Sequence, residues 1–104
     1  MTKSETQFQK IAEALTSKKI EVSKMFGMPC YKIKGKAFAG LFEEDMVFKL
    51  TGKDHEIALS LKGSKLFDPS RMGRAMKEWV QVQPKYMKQW EGLAGAALKY
   101  VSAK

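Results

Sequence analysis

The chain has one cysteine, one histidine, no asparagine and three prolines in 104 residues. A lone Cys30 excludes an intrachain disulfide. One cysteine and one histidine do not make a usual zinc ligand set, and no ligand spacing accompanies them, so no metal site is expected. Without asparagine there is no N-glycosylation acceptor. No eighteen apolar residues run together, which excludes a spanning helix. The first ten residues are polar and lack the apolar run of a signal peptide, so the expected location is the cytoplasm. No G-x-G-x-x-G occurs. The Gly35 to Gly40 interval has a phosphate-loop glycine separation, but Leu41-Phe42 stand where Lys and Ser/Thr are required. No G-x-S-x-G elbow is present. Nucleotide cofactors and serine-hydrolase chemistry therefore have no support, and no cofactor is expected.

Acidic residues are also scarce. Nineteen Lys and Arg stand against 11 Asp and Glu, a formal net charge of +8. The hydrophobic fraction of 44% and charged fraction of 29% are those of an ordinary globular protein. A chain of this length makes one domain, 1–104, large enough for one real core. The interval from Lys62 to Lys88 concentrates positive charge: Lys62, Lys65, Arg71, Arg74, Lys77, Lys85 and Lys88 against Asp68 and Glu78. An arginine-bearing loop there can meet phosphates through the bidentate guanidinium fork, which makes Arg71, Arg74 and Lys77 candidate nucleic-acid contacts. The alternative is a solvated basic surface that maintains solubility. No zinc-finger spacing, basic-zipper repeat or aromatic RNA-binding strand motif occurs, so any such contact is read as backbone-driven and salt-sensitive.

Periodicity locates the elements. Phe8, Ile11, Ala12 and Leu15 fall at i, i+3, i+4, i+7 and predict a helix over about 4–18, with Ser4 and Gln7 as a capping box. Tyr31 to Lys34 alternates apolar and basic residues, as a strand does. Gly35-Lys36 predicts a tight turn, Ala37–Phe42 a second strand, Glu43 to Asp45 an acidic turn, and Met46–Leu50 a third strand. Asp54–Leu61 predicts a short helix with Ile57, Ala58 and Leu61 on one side. Leu66 and Phe67 begin an extended piece, and Met76–Val82 reads as a fifth strand. Pro84 suits a first helical position. Met87, Trp90, Leu93, Ala94, Ala97, Leu98 and Val101 then mark a long amphipathic helix. Gly92 and Gly95 within it suggest close backbone approach to the sheet. The expected fold class is α+β, ordered α-β(3)-α-β(2)-α, with one antiparallel five-strand sheet.

The second strand is apolar on both sides, with Phe38 and Phe42 on one and Ala37, Ala39 and Leu41 on the other. Three helices cover one face of such a sheet. Ala37, Ala39 and Leu41 are therefore candidates for a partner or homodimer surface, and a tightly curled sheet is the alternative.

Other chemistry-bearing residues have simpler readings. Cys30 lacks a dedicated base and reads as a small core residue. His55, beside Asp54 and Glu56, reads as a solvated side chain. Glu43, Glu44 and Asp45 are contiguous in a turn, whereas paired-carboxylate catalysis needs two groups facing one cleft in different environments. Met25-Phe26-Gly27-Met28-Pro29 reads as a turn packing into the core, and Trp79 and Trp90 as core anchors. No catalytic residue is assigned.

The stretches Met25-Phe26-Gly27-Met28-Pro29-Cys30-Tyr31, Gly35-Lys36-Ala37-Phe38-Ala39-Gly40-Leu41 and Met46-Val47-Phe48-Lys49-Leu50 together resemble the N-terminal domain of the TfoX/Sxy competence regulators. The segment Lys77-Glu78-Trp79-Val80-Gln81-Val82-Gln83-Pro84, before a helix, is similar to the same family. The resemblance runs from Ser4 to Val101 and rests on these segments in combination. It implies an α-β(3)-α-β(2)-α fold similar to secretion-chaperone-like domains, with no established catalytic residues. The family's full-length regulators carry a second domain and promote transcription of DNA-uptake genes. The resemblance thus implies a small non-enzymatic binding or regulatory module, and the second strand, apolar on both sides, adds the expectation that it works through protein–protein contacts and self-association. Its alternative is a nucleic-acid-associated transcriptional regulator that uses the basic loop.

Overall fold

Helix α1 covers Lys3–Leu15 and buries Ser4, Phe8, Ile11, Ala12 and Leu15, the stripe that its apolar spacing predicts. The structure is a computed structural model and describes residues 3–15, 20–25, 27–68 and 76–103. Among the described residues six strands follow the helix: β1 (Glu21–Met25), β2 (Met28–Ile33), β3 (Lys36–Phe42), β4 (Asp45–Lys49), β5 (Lys65–Phe67) and β6 (Met76–Val82). Helix α2 (Gly52–Ser60) joins β4 to β5, and helix α3 (Met87–Ser102) closes the chain. All strand pairs are antiparallel, in the order β1-β2-β3-β4-β6-β5. The α+β class stands, but the sheet has six strands where five were expected. The additional one is β1, whose Glu-Val-Ser-Lys-Met sequence carries little apolar alternation. It is an edge strand held by β2 alone, and its Val22 is 56% exposed.

Turn chemistry sets the registers. Ile33 pairs with Lys36, so Lys34 and Gly35 are the two central turn residues, one position earlier than Gly35-Lys36. Both have positive φ, 51° and 79°, the conformation of a type I′ hairpin turn that glycine adopts without strain. Glu43 and Glu44 form the next turn, and Asp45 already belongs to β4, paired with Phe42.

The faces of β3 do not follow strict alternation. Tyr31 pairs with Ala39 and Lys32 with Ala37, which leaves Phe38 as the extra residue of a β-bulge. Phe38, Ala39 and Leu41 consequently share one core with the three helices, while Ala37 and Phe42 join the opposite face. The helix-side core gathers Phe8 and Ile11 of α1, Ala58 of α2, and Trp90, Leu93, Ala97 and Val101 of α3 over Tyr31, Phe48, Val80 and Val82 of the sheet.

The second face holds its own cluster of Met28, Val47, Phe67 and Trp79, flanked by Ala37, Phe42 and Met76. Phe67 packs edge-on against Phe42 at 5.2 Å and tilted against Trp79 at 6.5 Å. None of the four central residues is more than 5% exposed in the single chain, so this face needs no second copy to keep it dry. Ala39 and Leu41 lie beneath the helices, 0% and 5% exposed, and do not form an outer surface. Of the three candidate surface residues, Ala37 alone reaches the second face, where it is half-buried.

Three local readings change. Ser4 lies inside α1 rather than capping it, and its hydroxyl donates to the Glu44 carbonyl at 2.7 Å, which docks the helix on the β3–β4 turn. Helix α2 buries only Ala58 and leaves Ile57 47% exposed, because it meets the body chiefly through β6. A Cβ added at Gly92 or Gly95 would meet nothing within 4 Å, so neither marks a close approach to the sheet.

Candidate polyanion-binding groove

Helix α1 presents a second stripe beside its apolar one. Lys3, Gln7 and Lys10 recur at i, i+4 and i+7, which places the two lysines about 10 Å apart along the helix axis. The facing wall comes from the start of α3. Pro84 opens a single 3-10 turn, Pro84–Tyr86, that runs directly into α3. Lys85 and Lys88, three positions apart, share one face here, and the Met87 side chain packs partly into the helix-side core.

Two concavities lie between these walls. One, of about 470 Å³, is lined by Gln7, Pro84, Lys85, Met87 and Lys88. The other, of about 250 Å³, is lined by Lys3, Thr6, Gln7, Lys10 and Met87. Gln7 and Met87 are common to both, so the two adjoin as one groove. Among the described residues the lining contains four lysines and no carboxylate. All four lysines are exposed, and the Lys85 ammonium also lies 5.3 Å from the Tyr86 ring centroid, a cation–π contact. A concave surface of one sign concentrates counter-ions more strongly than the same charges on a convex one.

Of the nucleic-acid candidates picked out from sequence, Lys77 alone lies among the described residues. Arg71 and Arg74 lie outside the described residues. Lys77 is exposed on β6, away from the groove, and its backbone carbonyl accepts a hydrogen bond from His55 Nε2 at 2.8 Å. His55 is therefore half-buried and pins α2 to β6 instead of standing free in solvent. Cys30 is fully buried between Ser23 and Gly40, and burial pushes its thiol above the usual range despite the lowering effect of Lys32. A thiol so placed is protonated at neutral pH and a poor nucleophile. The acidic run divides its duties: the Glu44 carbonyl accepts from Ser4, and the Asp45 carboxylate accepts from Gln81 Nε2 at 2.6 Å. Among the described residues no group of three His, Cys, Asp or Glu side chains could hold a metal ion. Nor is any described helix long and apolar enough to cross a membrane.

The structure also assembles a polar cluster that the sequence does not announce. Tyr100 of α3 donates its hydroxyl hydrogen to the Glu78 carboxylate, and Lys49 lies 3.9 Å from the same carboxylate. It ties α3 to β4 and β6 and lines none of the concavities described above. The groove itself was half legible. Lys85 and Lys88 belong to the basic interval, whereas Lys3 and Lys10 join them only through the packing of α1 on α3. Comparison with protein-family models, curated proteins and solved structures gives no significant match.

Proposed function

We propose that this chain is a small non-enzymatic binding module, of the kind its resemblance to the TfoX N-terminal domain implies, and that its working surface is the groove between α1 and the start of α3. The observation that carries the reading is the lining: four exposed lysines with no carboxylate among the described residues. Such a lining suits a polyanionic partner. It gives the nucleic-acid reading a surface built by two helices in addition to the Arg71–Lys77 segment.

The test is chromatography on phosphocellulose with a salt gradient. A variant carrying Lys3→Gln, Lys10→Gln, Lys85→Gln and Lys88→Gln is expected to elute at clearly lower salt than the parent. A control with Lys24→Gln, Lys36→Gln, Lys53→Gln and Lys62→Gln has the same net charge and is expected to lose much less retention. Equal losses in the two variants would reduce the groove to general surface charge.

A second reading, protein–protein contact with self-association, is favoured by one feature: the outer edge of β1, where Val22 is 56% exposed. Light scattering after gel filtration tests it. A concentration-dependent dimer that Val22→Lys disperses would support it, and a monomer at all concentrations would remove it.

A further inference from the structure

Resting on the groove reading above, we infer that its ligand is the sugar–phosphate backbone of a single-stranded nucleic acid rather than a duplex or a compact anion. Three features of the groove lead there. The first is shape. A duplex is a broad convex cylinder that proteins commonly read with a protruding helix or ribbon laid into its major groove. Here the lysines line a concavity instead, the arrangement that tracks a thin flexible strand.

The second feature is repetition. The groove is two adjoining hollows that share Gln7 and Met87, each with two lysines of its own: Lys85 and Lys88 in one, Lys3 and Lys10 in the other. Paired hollows with paired cations match successive units of a repeating anion, whereas one compact anion would fill a single hollow. The third is the floor. Met87 and Pro84 offer apolar surface and Gln7 an amide that both donates and accepts, so bases can lie against the floor while their phosphates meet the walls. No aromatic platform lines the groove among the described residues. Binding is therefore expected to be electrostatic in the main and tolerant of sequence.

The salt dependence follows from the count of cations. Four phosphate contacts on a single strand give a slope of roughly −2.8 in log affinity against log salt, about a fifty-fold loss between 50 and 200 mM salt.

The experiment is fluorescence anisotropy with three labelled probes: a twelve-nucleotide oligo-dT, a blunt duplex of equal length, and end-labelled inorganic polyphosphate. The expected result is binding of oligo-dT in preference to duplex, with that salt slope. The variant with Lys3→Gln, Lys10→Gln, Lys85→Gln and Lys88→Gln is expected to lose at least ten-fold in affinity and most of the slope. Because all four lysines are exposed, the variant should keep its circular dichroism spectrum and melting temperature, which are measured alongside. Duplex bound as tightly as single strand overturns the inference. So does oligo-dT binding that survives in the variant. Polyphosphate binding without oligo-dT binding overturns the inference but leaves the polyanion groove standing, and no binding of either at low salt removes both.

Discussion

Tyr31 and Phe8 are joined twice: their rings stack with centroids 4.4 Å apart, and the Tyr31 hydroxyl donates to the Phe8 carbonyl at 2.5 Å. The contact fastens α1 to β2, with Tyr31 fully buried. Tyr31→Phe keeps the ring and removes the hydrogen bond, for an expected loss of about 1 kcal/mol by urea denaturation. Burial also raises the phenol pKa well above its ordinary 10.0. The folded state therefore holds its proton after the unfolded state has released it. Stability from this group is complete below pH 10 and falls above it, by up to about 1.4 kcal/mol per pH unit. A comparison of urea midpoints at pH 8 and pH 11 should show a smaller alkaline loss in Tyr31→Phe than in the parent.

Ser4 and Gln7 separate two readings of the start of α1. In a capping box both side chains satisfy helix amides, and replacing either weakens the helix. In the structure Ser4 instead bonds the Glu44 carbonyl, and Gln7 lines the groove. Ser4→Ala should cost about 1 kcal/mol. Gln7→Ala should leave the melting temperature within about a degree of the parent. A matching loss in both variants would restore the capping box.

Glycines at three positions predict opposite signs. A Cβ at Gly40 would stand 2.7 Å from Met28 Cε, 3.1 Å from the Pro29 carbonyl oxygen and 3.3 Å from Cys30 Cβ. The Met28 methyl can swing aside, but the strand backbone cannot, so Gly40→Ala should destabilise by about 1–3 kcal/mol. Gly92 and Gly95 have open space around the added carbon and sit within α3. Alanine at either should stabilise by roughly 0.5–1 kcal/mol in thermal or urea melts.

Cys30 gives a probe of the closed state. With the thiol fully buried and its pKa raised, a disulfide reagent at neutral pH should react only through opening of the fold. Labelling in native buffer is expected to be slow, limited by release of β1 from β2, and to be rapid once urea unfolds the sheet. Reaction within seconds in native buffer would mean that β1 and β3 do not seal it.

Much of the architecture was readable from the sequence because α1 and α3 each carry an unbroken stripe and the inner strands are apolar. Phe8, Ile11 and Leu15 announce α1, and Trp90 to Val101 announce α3. Strand β1 was not readable, since Glu21, Val22 and Lys24 are exposed and Ser23 only half-buried, and a strand that buries neither face carries no apolar alternation. The faces of β3 were misassigned for another reason: the bulge at Phe38 is a property of pairing with β2, and no local pattern in Ala37–Phe42 encodes it. The groove was legible in part, because charge on each helix is visible along the chain but the approach of α1 to Lys85 and Lys88 is tertiary. His55 likewise looks solvated until β6 brings the Lys77 carbonyl within reach.

The two apolar clusters lie back to back on one sheet, and this bears on how the molecule opens. Neither face of β3, β4 or β6 can be wetted without stripping either the helices or the Phe67–Trp79 packing. The amide hydrogens of these strands should therefore exchange with solvent deuterium only through whole-molecule unfolding. Those of β1, held on one side, should exchange orders of magnitude sooner, so that the sheet peels from that edge while its centre stays intact.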